Sequence, residues 1–305
     1  MPSVPRLSVV VVCHNMAREV PRTIQSLSTS IQRDIASAEY EVILIDNGST
    51  EPPDVERCRR LIPSMEFHRI ETTSRSPVGA LNFGLSVARG ELVGVFIDGA
   101  RMATPRLLAR AIQASSLHPR PVIGALSFHL GPKVQQISVR EGYNQRVEDS
   151  LLLANRWTQD GYNLYLNCAP DPSSAKGWSF VPNETNSLFL RTEHWREIGG
   201  FDERFQTPGG GFVNLDIWRR LCADASNEII LLLGEATFHQ LHGSATGSDT
   251  LPLFAAEYER LRGERYRSPE REPVLFGTLP PQSRPIMAHL AVLAVKHSPA
   301  VNQQR

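Results

Sequence analysis

The sequence carries no surplus charge, because 32 lysine and arginine side chains are matched by 32 aspartates and glutamates across 305 residues. A balanced chain offers no electrostatic footprint for nucleic acid or an anionic membrane surface. Cysteine is scarce. Cys13, Cys58, Cys168 and Cys222 lie far apart, with no CxxC pair and no zinc-site spacing. They read as free thiols of a reducing compartment rather than a disulfide framework. Long hydrophobic runs are missing too. The opening MPSVPRLSVVVVCHN holds an apolar run of only about six residues, short of a signal-peptide core. No stretch approaches the roughly 20 apolar residues of a membrane span. There is no internal repeat and no low-complexity block. These absences leave a soluble, cytoplasmic protein as the expectation. The 41% of hydrophobic residues suffice for a large core in one domain or two small ones.

What is present alternates. LSVVVVC (7–13) is β-branched and apolar at successive positions, the pattern of a strand buried on both faces. Residues 16–31 place Val20, Ile24, Leu27 and Ile31 on one helical face. YEVILID (40–46) predicts a second buried strand and NGST a turn; a helix near 54–61 and a short strand at 65–71 follow. After a Ser, Pro and Gly-rich loop (72–79), residues 80–89 predict a helix capped by Gly90, then a strand at 91–98. Such alternation implies α/β architecture with a mostly parallel sheet. Ligands of such sheets sit beyond the carboxyl ends of the strands. Asn15, Asp46 and Asp98 all fall at those ends. Each alone is an ordinary turn former; their joint placement marks one edge of the sheet.

The middle is less regular. Strands are expected at 121–131, from 184 and over 227–243, with helices at 146–157, from Thr192 and at 213–225. PGGGF (208–212) is a tight glycine loop that lets backbone approach a sugar or phosphate closely, or simply turns. Beyond about 250 the texture changes to a charged stretch, a linker and an apolar segment, IMAHLAVLAVKHSPAV. This tail reads as packing or as an interface between copies.

The pieces LSVVVVCHN, VILIDNGSTE, ALNFGLSVARGELVGVFIDGA and REIGGFDERF occur in an order that resembles the family 2 glycosyltransferases with the GT-A fold. The resemblance covers roughly residues 7–245. It implies a nucleotide-sugar-binding half (1–110), an acceptor-side half with antiparallel strands (111–248) and a C-terminal helical extension (249–305). It implies an inverting transfer of sugar from a nucleotide-diphosphate sugar, UDP-linked, to the hydroxyl of a saccharide or other acceptor. Asp46 would accept from the nucleobase imide, with Asn15, Asn47 and Asn82 in the same donor pocket. Asp98 and Gly99 would begin the Asp-x-Asp motif that holds Mg²⁺ or Mn²⁺ on the diphosphate, offsetting leaving-group charge.

Here the chain departs from the pattern, since the second acid of the motif is Ala100. That puts the metal in doubt. Arg101 offers another route, because a guanidinium binds phosphate bidentately; it reads equally as a solvated loop arginine. Late in the chain, TFHQLHG carries His239 and His242. His239 is the favoured metal ligand beside Asp98 and His242 the second choice; a buried structural histidine is the alternative. The family's usual Glu-Asp pair falls on Val213 and Asn214, and Asn is no base. Three candidates for the general base remain: Asp216, Glu184 and Glu148-Asp149. Asp216 reads equally as an ion-pair partner of Arg219 or Arg220 on its own helix. The competing reading is a nucleotide- or sugar-binding protein of the same fold that has lost transfer. A nucleotidyltransferase fits less well, because CHNMAREV lacks a Gly-rich, Lys/Arg-bearing loop.

Overall fold

The computed structural model describes residues 4–243, 250–287 and 290. β1 (Leu7–Cys13), β2 (Tyr40–Asp46), β3 (Glu66–Arg69) and β4 (Leu92–Phe96) form the parallel N-terminal half. α1 (Val20–Leu27), α2 (Val55–Leu61) and α3 (Val78–Val87) connect them. β5 (Arg101–Ala103), α4 (Leu107–Ala114) and β6 (Pro121–Leu130) follow. Then come α5 (Gln135–Arg140), α6 (Gln145–Ala154), β7 (Cys168–Pro170), β8 (Ser187–Arg191) and α7 (Thr192–Ile198). The chain continues with α8 (Val213–Ala223), β9 (Glu228–His239), α9 (Leu251–Arg262) and β10 (Val274–Gly277).

Among the described residues all ten strands join one sheet in the order β10-β9-β6-β8-β4-β1-β2-β3, with β5 on β9 and β7 on β6. β8 runs antiparallel to β4 and β6, which supplies the expected antiparallel portion. Successive residues of a strand point to opposite faces, and the valines of β1 use both. Val9 and Val11 pack with Ile24 of α1, Cys58 of α2 and Leu108 of α4. Val10 and Val12 pack with Leu81 of α3, Trp195 of α7 and Trp218 of α8. A third cluster, with Phe128, Phe238, Tyr165 and Trp178, closes the far end of β6 and β9.

Several local expectations shift. The first helix begins at Val20, not residue 16, with Pro21 in its first turn, where a missing N–H costs nothing. Gly90 does not cap α3, which ends at Val87 with Ala88 as its cap. Gly90 instead lies against β1, where a Cβ would come within 2.5 Å of the Ser8 amide nitrogen. Arg101 is no loop residue, because it opens β5 opposite His239. The C-terminal segment is not helical alone: after α9 it adds β10 as an edge strand on β9. Most of the apolar segment IMAHLAVLAVKHSPAV lies outside the described residues. Among the described residues no helix is long and apolar enough to cross a membrane.

Candidate active site

Asp98 follows β4, and its carboxylate is held from two sides. Oδ1 accepts the Ala100 N–H at 2.9 Å, and Oδ2 accepts Arg101 Nε–H at 2.9 Å. Arg101 is 7% exposed and also donates to Ser127 Oγ at 2.6 Å. At the end of β9, His239 Nε2 stands 3.9 Å from Asp98 Oδ2 and 3.0 Å from His242 Nε2. Asp98, His239 and His242 thus place three ligand atoms within 4.8 Å of one another. Burial alone would raise the Asp98 pKa; the Arg101 guanidinium and the two histidines outweigh it and hold the carboxyl well below the usual range. Burial, with Arg101 nearby, pushes His239 down, which favours the neutral imidazole, whose single unprotonated nitrogen can serve as a ligand. Two ligands at about 2.1 Å from one ion lie about 3.0 Å apart at a right angle. The His239–His242 separation matches this value and Asp98 stands wider, so the donor set is one that would hold a divalent cation through two imidazoles and one carboxylate.

A second group of polar side chains borders this one. Ser127 and His129 alternate along β6 and share a face; His129 pairs with His239 across to β9. His129 Nε2 lies 3.1 Å from Asp171 Oδ2, just after β7. Asp171 Oδ1 accepts from the amide and hydroxyl of Ser173. Glu184 sits in the segment before β8, where Asn214 Nδ2–H of α8 donates to its Oε2 at 2.7 Å. Burial first, then repulsion from Asp171 and Asp98, pushes the Glu184 carboxyl up to about 7, against the Asn214 hydrogen bond and Arg101. The two acids bordering Arg101 are thereby pushed apart. Asp171 stays ionised because the His129 N–H and Arg101 overcome its burial. Acids driven apart in this way take different roles in a site.

The other candidates for the base are engaged with arginines. Asp216 is buried in α8, with Oδ1 taking Arg262 Nε–H at 2.6 Å and Oδ2 taking Arg220 Nε–H at 2.9 Å and Arg262 Nη2–H at 2.7 Å. This pairing gives Asp216 a structural role that competes with its expected role as a base: the carboxylate ties α8 to α9 through Arg262. Glu148 and Asp149 of α6 bind Arg18, and Asp149 also binds Arg22, which ties α6 to α1.

At the donor side, Asn15 adopts φ 53°, and its Oδ1 accepts Thr50 N–H at 2.8 Å and Glu51 N–H at 3.2 Å. It shapes the NGST turn from outside. Asp46 is fully buried; Oδ1 accepts Ser49 N–H, while Oδ2 has no hydrogen-bond partner and faces Arg69 Nη1 at 3.6 Å. Asn47 donates to Ser76 O. Asn47 and Arg69 line a cleft of about 770 Å³ with Thr72, Ser76 and Phe83. Asn82 does not line it. Its amide clasps Phe201, donating to the carbonyl and accepting the N–H, both at 2.9 Å, and so pins α3 to the Gly-Gly-Phe turn. Gly99 has a packing reason to be glycine: a Cβ would meet Cys13 Cβ at 2.7 Å and Val20 Cγ2 at 2.9 Å.

Sequence reasoning passed over Ser127, His129, Asp171 and Gln135. Ser127 and His129 did carry a signal, two polar residues two apart inside an apolar strand. Asp171 and Gln135 carried none, because their contacts to His129 and His239 are made only in the fold.

A curled, mostly parallel sheet with an antiparallel insertion, and a polar cluster beyond its strand ends, is the architecture of the GT-A fold. Residues 8–148 match the model described as glycosyl transferase family 2. No curated protein matches the chain. The fold is similar to mannosyltransferase PcManGT from Pyrobaculum calidifontis, solved with GDP-Man and Mn²⁺. That match has 18% identity and a TM-score of 0.51, and covers 95% of this chain and 70% of that one. The 1–349 fragment of S. aureus TarS, solved with UDP, matches at 17% identity and TM-score 0.48 over 83% of this chain. The match spans 65% of the TarS fragment.

Proposed function

We propose that the chain is a glycosyltransferase that moves a sugar from a nucleotide-diphosphate sugar, UDP-linked, to an acceptor hydroxyl with inversion. The observation that carries this reading is a half-buried carboxyl held near neutrality by desolvation, Asp171 and Asp98, Glu184, in the same site as the Asp98, His239 and His242 cluster. Glu184 is the general base: it takes the proton of the acceptor hydroxyl as that oxygen bonds to the anomeric carbon and the bond to the diphosphate breaks. Its place beside Asn214 supports a relocated base, the acid absent from the start of α8 being supplied across the cleft. Asp98, His239 and His242 would hold a divalent cation, whose chemistry is to offset the diphosphate charge. Arg101 keeps Asp98 ionised, and its remaining N–H groups can meet a phosphate oxygen. Asn47 and Arg69, with Asp46 behind, favour the neighbouring cleft as the seat of the nucleobase. The four free thiols, three of them buried, support a reducing, cytoplasmic location. β10, a sheet edge among the described residues, is the part of the C-terminal extension suited to contact between copies.

One observation favours a protein that binds nucleotide without transfer: Arg101 already neutralises the one carboxylate left by Ala100. Titration calorimetry with UDP, with and without Mn²⁺, combined with donor hydrolysis across UDP- and GDP-sugars, separates the readings. Mn²⁺-enhanced UDP binding with hydrolysis or transfer supports the enzyme. Binding with no turnover across the panel supports the binding protein, and absence of UDP binding removes the UDP-linked donor.

A further inference from the structure

Gln135 opens α5 and touches both histidines that border the two halves of the site. Its side-chain Nε2–H donates to the His239 carbonyl at 3.1 Å, and its Oε1 lies 2.9 Å from His239 Nδ1. The two contacts decide one another. A carbonyl only accepts, so the amide nitrogen must face it, and the amide oxygen must then face the ring. An amide oxygen accepts, so Nδ1 carries the proton and Nε2 keeps its lone pair. That lone pair points to the side on which Asp98 and His242 lie, 3.9 and 3.0 Å away. The backbone N–H of the same Gln135 donates to His129 Nδ1 at 3.0 Å. His129 Nδ1 is therefore the acceptor, and its proton sits on Nε2, facing Asp171 at 3.1 Å.

We propose that Gln135 is a positioning residue that sets opposite tautomers on two neighbouring histidines, leaving His239 with a bare Nε2 toward Asp98 and His129 with an Nε2–H toward Asp171. Gln135 is 8% exposed, so water does not compete for either bond. The consequence for metal affinity rests on the cation site proposed above; the tautomers themselves do not. Partners that fix a ligand histidine in this way are worth about 10–100-fold in metal affinity.

The test uses the full chain and the variants Gln135→Ala and Gln135→Glu. Long-range ¹H–¹⁵N NMR of the metal-free protein reads the tautomers, and calorimetry with Mn²⁺ alone reads affinity. In wild type, His239 is protonated at Nδ1 and His129 at Nε2. In Gln135→Ala, His239 becomes a tautomer mixture, while His129 is unchanged, because its partner is a backbone N–H that the substitution keeps. Mn²⁺ affinity falls about 10–100-fold, and Gln135→Glu, whose carboxylate still accepts from Nδ1–H, recovers most of it. A folded Gln135→Ala protein with His239 still fixed at Nδ1 overturns the proposal, as does simultaneous change of both histidines, which would report loosening of α5. If wild type binds no Mn²⁺ while the tautomers behave as stated, the cation site fails and the role of Gln135 stands.

Discussion

Glu184 concentrates the conflict between stability and activity in one side chain. Its folded pKa of about 7 lies above its ordinary 4.5, so between those values the folded state holds a proton that the unfolded chain releases. Stability contributed by that proton is present at low pH and is lost as pH rises from 4.5 through 7. Activity moves the opposite way, because the base works only when ionised: kcat/KM should rise with pH through about 7. Glu184→Gln should lower kcat by roughly 10²–10⁴ with donor affinity unchanged. Urea melts of the same variant should show a gain on the order of 1–3 kcal/mol over wild type at pH 8, vanishing near pH 5. A variant that keeps its rate would remove Glu184 from the chemistry.

At the scale of elements, α8 serves two masters. Its first turn presents Asn214 to Glu184, and half a turn later Asp216 faces away into Arg220 and Arg262. Arg262 reaches Asp202 of the Gly-Gly-Phe-Asp turn as well, so one guanidinium ties α9 to both α8 and that turn. Removing one partner of a buried ion pair leaves the other uncompensated. Asp216→Asn should therefore cost about 3–5 kcal/mol in urea melts, while turnover per folded molecule stays at the wild-type level. A large loss of kcat with intact stability would return Asp216 to the candidates for the base.

The proposed cation site is a property of the whole molecule. Asp98 and His239 are 141 positions apart, and the sheet brings them together through β4, β5 and β9. Two imidazoles with a single carboxylate, itself paired to Arg101, form a nitrogen-rich and nearly uncharged set, which suits first-row transition ions better than Mg²⁺. Because the ligands meet only in the folded chain, binding should raise Tm. Mn²⁺ or Co²⁺ at 100 times Kd should add about 2.7 kcal/mol, seen as a thermal shift. Mg²⁺ at equal concentration should give a smaller shift, and His239→Ala should abolish the response. An equal shift with Mg²⁺ would contradict the proposed donor set.

The parallel half was legible in the chain itself, because β-branched runs such as 7–13 and 40–46 and the turns after them are local signals of period and turn chemistry. Asp98 was legible for the same reason, as a polar residue at a strand end, and His239 was picked out only through the family resemblance. Which acid faces the site was not. Glu184 and Asp216 looked equivalent in sequence, and only packing separates them: one lies beside like charges and is pushed up, the other lies between arginines and is spent. Arg101 read as a loop residue because three residues of strand are too short for any periodicity. Gln135 had no signal at all. Its role exists only where α5 meets the ends of β6 and β9, since the bonds to His239, 104 positions away, are made by the fold and not by the neighbours in the chain.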